Sequence, residues 1–154
     1  MDKALGQIIS KLPENIGAVL KDINSENLQE IRLRTGKKIY LYYTDKISCV
    51  DFVPDTADVE RTLSYFCASS VYAYGNNIKN GFITLSGGHR AGIVGRAVYK
   101  EEKVSNIVDL AGINIRIARE YKGCSDYVIN KIYKEGKILN TLIISEPNGL
   151  SVLT

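Results

Sequence analysis

A chain of 154 residues, 45% hydrophobic and 24% charged, has the ordinary composition of a soluble globular domain. Its 20 basic and 17 acidic residues leave a net charge of +3, too mild to announce nucleic acid or a membrane as partner. Cys49, Cys67 and Cys124 are dispersed and read as reduced thiols, and one histidine excludes a multi-histidine metal site and leaves little room for His-based nucleophilic chemistry.

Leu5, Ile8, Ile9 and Leu12 recur at helical spacing until Pro13, and Ile16, Val19, Leu20 and Ile23 repeat it, which predicts two short amphipathic helices. From Leu28 the period changes to two. Glu30, Arg32 and Arg34 alternate with Ile31 and Leu33 as in a half-buried strand, and Ile39 to Tyr43 and Ile47 to Phe52 predict two more. Asp55 has the character of a helix N-cap. Val59, Leu63, Phe66, Cys67, Ser70, Val71 and Tyr74 then share a face, predicting one long core helix from Asp55 to Tyr74. Phe82 to Leu85, Ala91 to Tyr99 and Ile113 to Ala118 read as strands. Val128, Ile129, Ile132 and Tyr133 mark a last helix with Gly136 as its stop. Strands grouped in hairpins around one long helix predict an α+β domain with a mostly antiparallel sheet.

The polar turn Lys134-Glu135-Gly136-Lys137 suggests a boundary, with residues 1–138 as the domain and 139–154 as something else. There Leu139 to Ser145 forms an apolar run before Pro147-Asn148-Gly149-Leu150-Ser151. Such a pattern suits the first strand and phosphate loop of a nucleotide-binding domain, but a leucine stands where the phosphate-binding lysine belongs. On these residues alone an ordinary terminal strand and tail is the favoured reading. No apolar run reaches 18 residues and no signal-peptide pattern is present, so the expected location is the cytosol.

Two polar clusters are candidates for function. Ser86-Gly87-Gly88-His89-Arg90 offers paired glycines beside two donors, either an anion-binding turn or a tight hairpin with His89 packed or exposed. Arg32, Arg34, Arg116 and Arg119 lie on two strands, either a contact surface for carboxylates or a solvated face balanced by Glu30 and Glu120. Lysine outnumbers arginine 13 to 7 in the chain, so arginine on these strands is a choice. The ten tyrosines are scattered and suit strands and core edges better than base stacking.

Four ordered motifs resemble the stage III sporulation protein AA family. They are Glu30-Ile31-Arg32-Leu33-Arg34-Thr35-Gly36, the stretch from Gly81 to Arg90, the stretch from Gly112 to Glu120, and Gly123-Cys124-Ser125-Asp126. That family is similar to the type II and type IV secretion and pilus ATPases. The resemblance implies an N-terminal regulatory and assembly domain ahead of a RecA-like ATPase domain using ATP and Mg. It implies partners in other copies of the same ATPase, forming a hexameric ring, and in membrane channel proteins of the sporulation complex. The location implied is the mother-cell cytoplasm at the forespore-facing membrane, without membrane insertion and without a nucleic-acid partner. It further implies that Pro147, Gly149 and Ser151 are the remains of a phosphate loop of the form Pro-x-x-Gly-Lys-Thr-Thr. Here that loop is one residue shorter and lacks the lysine, so no ATP hydrolysis, no cofactor and no catalytic residue are expected of this segment by itself. The contact residues expected are Arg32, Arg34, Gly87, Gly88, His89, Arg90, Arg116 and Arg119. The alternative is a nucleic-acid-binding module using the same arginines and tyrosines.

Overall fold

The computed structural model describes residues 3–68, 75–119, 123 and 126–142. It divides into a larger unit, residues 1–118, and a smaller one, residues 119–154.

The larger unit is an antiparallel six-stranded sheet in the order β3-β2-β1-β6-β5-β4. Its strands are β1 (Leu28–Arg34), β2 (Ile39–Tyr43), β3 (Ile47–Val50), β4 (Phe82–Thr84), β5 (Arg90–Lys100) and β6 (Lys103–Arg116). Helices α1 (Lys3–Ile9), α2 (Glu14–Leu20), α3 (Thr56–Phe66) and α4 (Gly75–Lys79) accompany it. Strand alternation puts Ile31, Leu33, Leu41, Ile83, Ala91, Ile113 and Ile115 on one face. There they join Leu5, Ile8, Ile16, Leu20, Val59, Phe66 and Ile78 from the helices in a single core. The α+β class and the antiparallel sheet are as the pattern predicted.

The long helix is not. α3 opens at Asp55, whose side chain accepts from the Asp58 N–H while the Asp58 carboxylate accepts from the Asp55 N–H, a reciprocal capping box. Val59, Leu63, Phe66 and Cys67 are buried as expected. But the helix ends at Phe66 after 11 residues, and Ala68 sits at φ +48°, left-handed backbone that cannot continue it. The expected face residues Ser70, Val71 and Tyr74 lie outside the described residues.

Two other boundaries moved. β6 begins at Lys103, ten residues before the alternation at Ile113 announced it. In the smaller unit α5 (Asp126–Ile132) forms as predicted, but Gly136 does not stop it. Tyr133–Lys134 (β7) and Lys137–Ile138 (β8) instead make a hairpin whose two turn residues, Glu135 and Gly136, both have positive φ. The expected polar linker is therefore a turn. Among the described residues no helix is long and apolar enough to cross a membrane.

Candidate functional site

The sheet face opposite the core is polar, and cross-strand register composes it. Tyr42 of β2 pairs with Glu30 of β1, Glu30 with Arg116 of β6, Arg116 with Arg90 of β5, and Arg90 with Thr84 of β4. The adjoining row runs Tyr40, Arg32, Asn114, Gly92 and Phe82. Four arginines, Arg32, Arg34, Arg90 and Arg116, thus share one surface.

Glu30 is the anionic centre of this surface. Its side chain is only 12% exposed, accepts from Arg32 Nε, and lies 3.5 Å from Arg116 Nε. Arg32 also donates to the Tyr42 hydroxyl at 2.9 Å and lies 3.9 Å from that ring's centroid. The hydrogen bond to Glu30, opposed by some burial, raises the Arg32 pKa above its ordinary value. Arg34 donates to the Leu33 carbonyl at 2.8 Å. It lies across Gly112, where a Cβ would collide with the Leu33 carbonyl and the Arg34 side chain. Burial first, and then the Arg32 charge, lowers its pKa.

Arg90 and Arg116 are direct cross-strand neighbours, an arrangement that costs stability for like charges. Of the two, only Arg116 has a carboxylate nearby among the described residues. The Arg90 guanidinium instead lies over Phe82, its central carbon 3.5 Å from the ring centroid, and has no ion-pair partner among the described residues. Phe82, Arg90, Gly92, Asn114 and Arg116 line a shallow cavity of about 250 Å³. The Asn114 Oδ1 atom is buried there without a hydrogen-bond partner. A guanidinium stacked on a ring keeps its N–H edge free for a carboxylate or similar anion.

The glycine turn does something else. Leu85 N–H donates to the His89 carbonyl at 2.7 Å, closing a tight hairpin. Gly87 and Gly88 have φ +84° and +79°, and a Cβ on Gly87 would come within 2.5 Å of Gln7 Oε1. His89 is buried, 1% exposed. Its Nδ1 accepts from the Ala118 N–H at 3.0 Å, which leaves Nε2 as the protonated nitrogen, 3.3 Å from Gln7 Oε1. The ring ties α1, the β4–β5 turn and the end of β6 together, so of the turn's residues Arg90 reaches the polar face and His89 faces the interior.

Arg119 opens the smaller unit and is described apart from this face. Pro147, Gly149 and Ser151 lie outside the described residues. Among the described residues no group of three or more His, Cys, Asp or Glu side chains could hold a metal ion. Sequence reasoning missed Phe82, Asn114 and Tyr42 as members of the surface. It also grouped Arg90 with the turn and not with the strand arginines, because register is not written in any local pattern.

The sequence pattern of the family described as "Sporulation stage III, protein AA" matches residues 2–152. The chain belongs to that family. It is 30% identical over 146 residues to the stage III sporulation protein AA of Bacillus subtilis (strain 168), an alignment covering 93% of this chain and 47% of the relative. The chain therefore spans about half the length of that curated relative. Among solved structures, it is similar to the VirB11 ATPase from the Brucella suis type IV secretion system in complex with sulphate. That likeness has 13% identity, covers 86% of this chain and 37% of the other, and has a TM-score of 0.46, too low to carry functional detail.

Proposed function

We propose that this chain is the subunit-contact and regulatory part of a secretion-type sporulation ATPase, with the arginine-bearing sheet face as its contact surface. The observation that carries this reading is the cross-strand pair Arg90–Arg116 beside Arg32 and Arg34, a concentration of guanidinium on the polar sheet face. Bidentate carboxylate capture by arginine is a common anchor of protein contacts. In the longer protein this part precedes an ATP- and Mg-dependent motor, assembles as a ring in the mother-cell cytoplasm, and works at a channel facing the forespore. The segment itself turns over no ATP, since Leu150 occupies the place of the phosphate-loop lysine. Measured turnover should fall far below about 1 s⁻¹, the low end for phosphoryl-transfer enzymes.

The nucleic-acid alternative is weaker for a specific reason. Tyr42 and Phe82, the rings best placed to stack on bases, are already covered by Arg32 and Arg90. The test is Arg32→Ala/Arg34→Ala in the longer ATPase, with assembly followed by analytical ultracentrifugation. Loss of about 2 kcal/mol per contact arginine should weaken assembly at least thirtyfold. Intact assembly with lost oligonucleotide affinity would overturn the contact reading.

A further inference from the structure

Beyond the sheet, β5 and β6 continue as a ribbon that no other described strand borders. β1 pairs with β6 only from Gly112 to Arg116, and β4 pairs with β5 only from Arg90 to Gly92. Between Val94 and Arg96 the ladder shifts register, and a Cβ on Gly95 would lie 2.8 Å from Ile107 and from the Val108 carbonyl. A bulge of this kind bends and re-aims a ribbon. The ribbon then runs out to Lys100 and Lys103, which pair with each other, around a turn of Glu101 and Glu102.

That tip is poorly made for its own stability. Both glutamates have positive φ, 51° and 62°, in a two-residue turn that prefers Asn-Gly. The two lysines beneath them are like charges placed directly opposite. Neither glutamate has an ion-pair partner among the described residues, and both are exposed. Ile107 and Leu110 anchor the inner part of the ribbon on the core, and the outer part is left as two strands, which are marginal in water and gain from a surface to lie on.

Tip and arginine cavity occupy opposite ends of the same strand. Ten steps of about 3.3 Å each separate Arg90 from Lys100, roughly 33 Å, so a chain cannot place its own tip in its own cavity. We infer that the Glu101–Glu102 tip of one copy docks into the Arg90–Arg116 cavity of the next. The inference rests on the contact reading above and names the partner surface. The outermost charges of the tip are carboxylates, and the cavity presents two guanidinium groups, one of them without an ion-pair partner among the described residues. Because donor and acceptor patches differ, the contact is head-to-tail. Such contacts close into a ring where the rotation per copy allows.

Head-to-tail pairing gives a test that self-pairing does not. One variant of this chain carries Glu101→Arg/Glu102→Arg, and a second carries Arg90→Glu/Arg116→Glu. Sedimentation velocity should show each variant alone losing self-association by about tenfold or more in midpoint concentration, since juxtaposed like charges repel. An equimolar mixture should regain the assembly of the unsubstituted chain, because each tip then meets a cavity of opposite sign. Recovery on mixing also rules out misfolding as the cause of the losses. An unsubstituted chain that stays monomeric overturns the inference. So does unchanged assembly of the tip variant. If the cavity variant alone fails to assemble, the arginine face keeps its contact role and only the tip is wrong. If neither variant changes assembly, the contact reading fails as well.

Discussion

The two faces of the sheet are built from alternate residues of the same strands, yet different physics holds each in place. On the inner face Ile31, Leu33, Ile113 and Ile115 are fully buried, and what matters is volume filled against α1 to α4. On the outer face Glu30, Arg32, Arg90 and Arg116 are held by charge, ring stacking and a few hydrogen bonds near water. Burial makes the inner face expensive to alter, and solvent makes the outer face cheap. Substitutions that matter for stability should therefore cluster inside, and those that matter for association outside.

The strongest challenge to this division is Phe66→Ala. Phe66 is 3% exposed and sits in the core at the end of α3, so its truncation should cost about 3–5 kcal/mol by urea unfolding. A loss well under about 1 kcal/mol would place α3 outside the core.

His89→Ala comes next. It empties the buried site of the ring and removes the acceptor of the Ala118 N–H and the neighbour of Gln7 Oε1, two part-buried contacts, at a cost of about 1–3 kcal/mol. Amide exchange at Ala118 should accelerate together with this loss. Unchanged exchange would show that the imidazole does not hold the end of β6.

A smaller effect depends on pH. Burial resists ionisation of Asp58, but hydrogen bonds from Asn15, Arg61 and the Asp55 N–H outweigh it and hold the carboxyl below its usual range. A depressed folded-state pKa adds stability that is complete above the unfolded value, near 3.9, and fades as pH falls through the folded one. Asp58→Asn should thus be destabilised relative to the unsubstituted chain at pH 7 by about 1 kcal/mol, the scale of a lost helix cap, with the gap narrowing in acid. A gap that widens below about pH 4 would reverse the assigned sign.

The smallest stability effect should belong to Arg32→Ala/Arg34→Ala. The Arg32 side chain is 39% exposed, and partly solvated ion pairs hold little. The melting free energy of this chain should change by no more than about 1 kcal/mol, while assembly of the longer protein suffers. A loss of stability as large as that of Phe66→Ala would erase the distinction between the two faces.

Much of the inner face was legible. The alternation of Glu30, Arg32 and Arg34 with Ile31 and Leu33 told which side chains leave the core, and Asp55 marked the start of α3. The end of α3 was not legible, because the apolar spacing runs on past Phe66 while the backbone at Ala68 turns left-handed. The first half of β6 escaped for a related reason. Residues 103–111 carry no fully buried side chain, only half-buried ones such as Ile107 and Leu110, so no clean period of two is impressed on the sequence.

The sequence by itself determined family, fold class, strand polarity and the outward aim of Arg32 and Arg34, since period and composition are local properties that each segment carries alone. Only the tertiary structure decided that Arg90 stands opposite Arg116, that Phe82 lies under Arg90, and that His89 turns inward to hold Gln7 and Ala118. Those facts depend on the register between strands far apart in the chain, such as Glu30 against Arg116. Register is chosen by the closure of the whole core, because a slip of one residue would turn the buried isoleucines of the slipped strand to water.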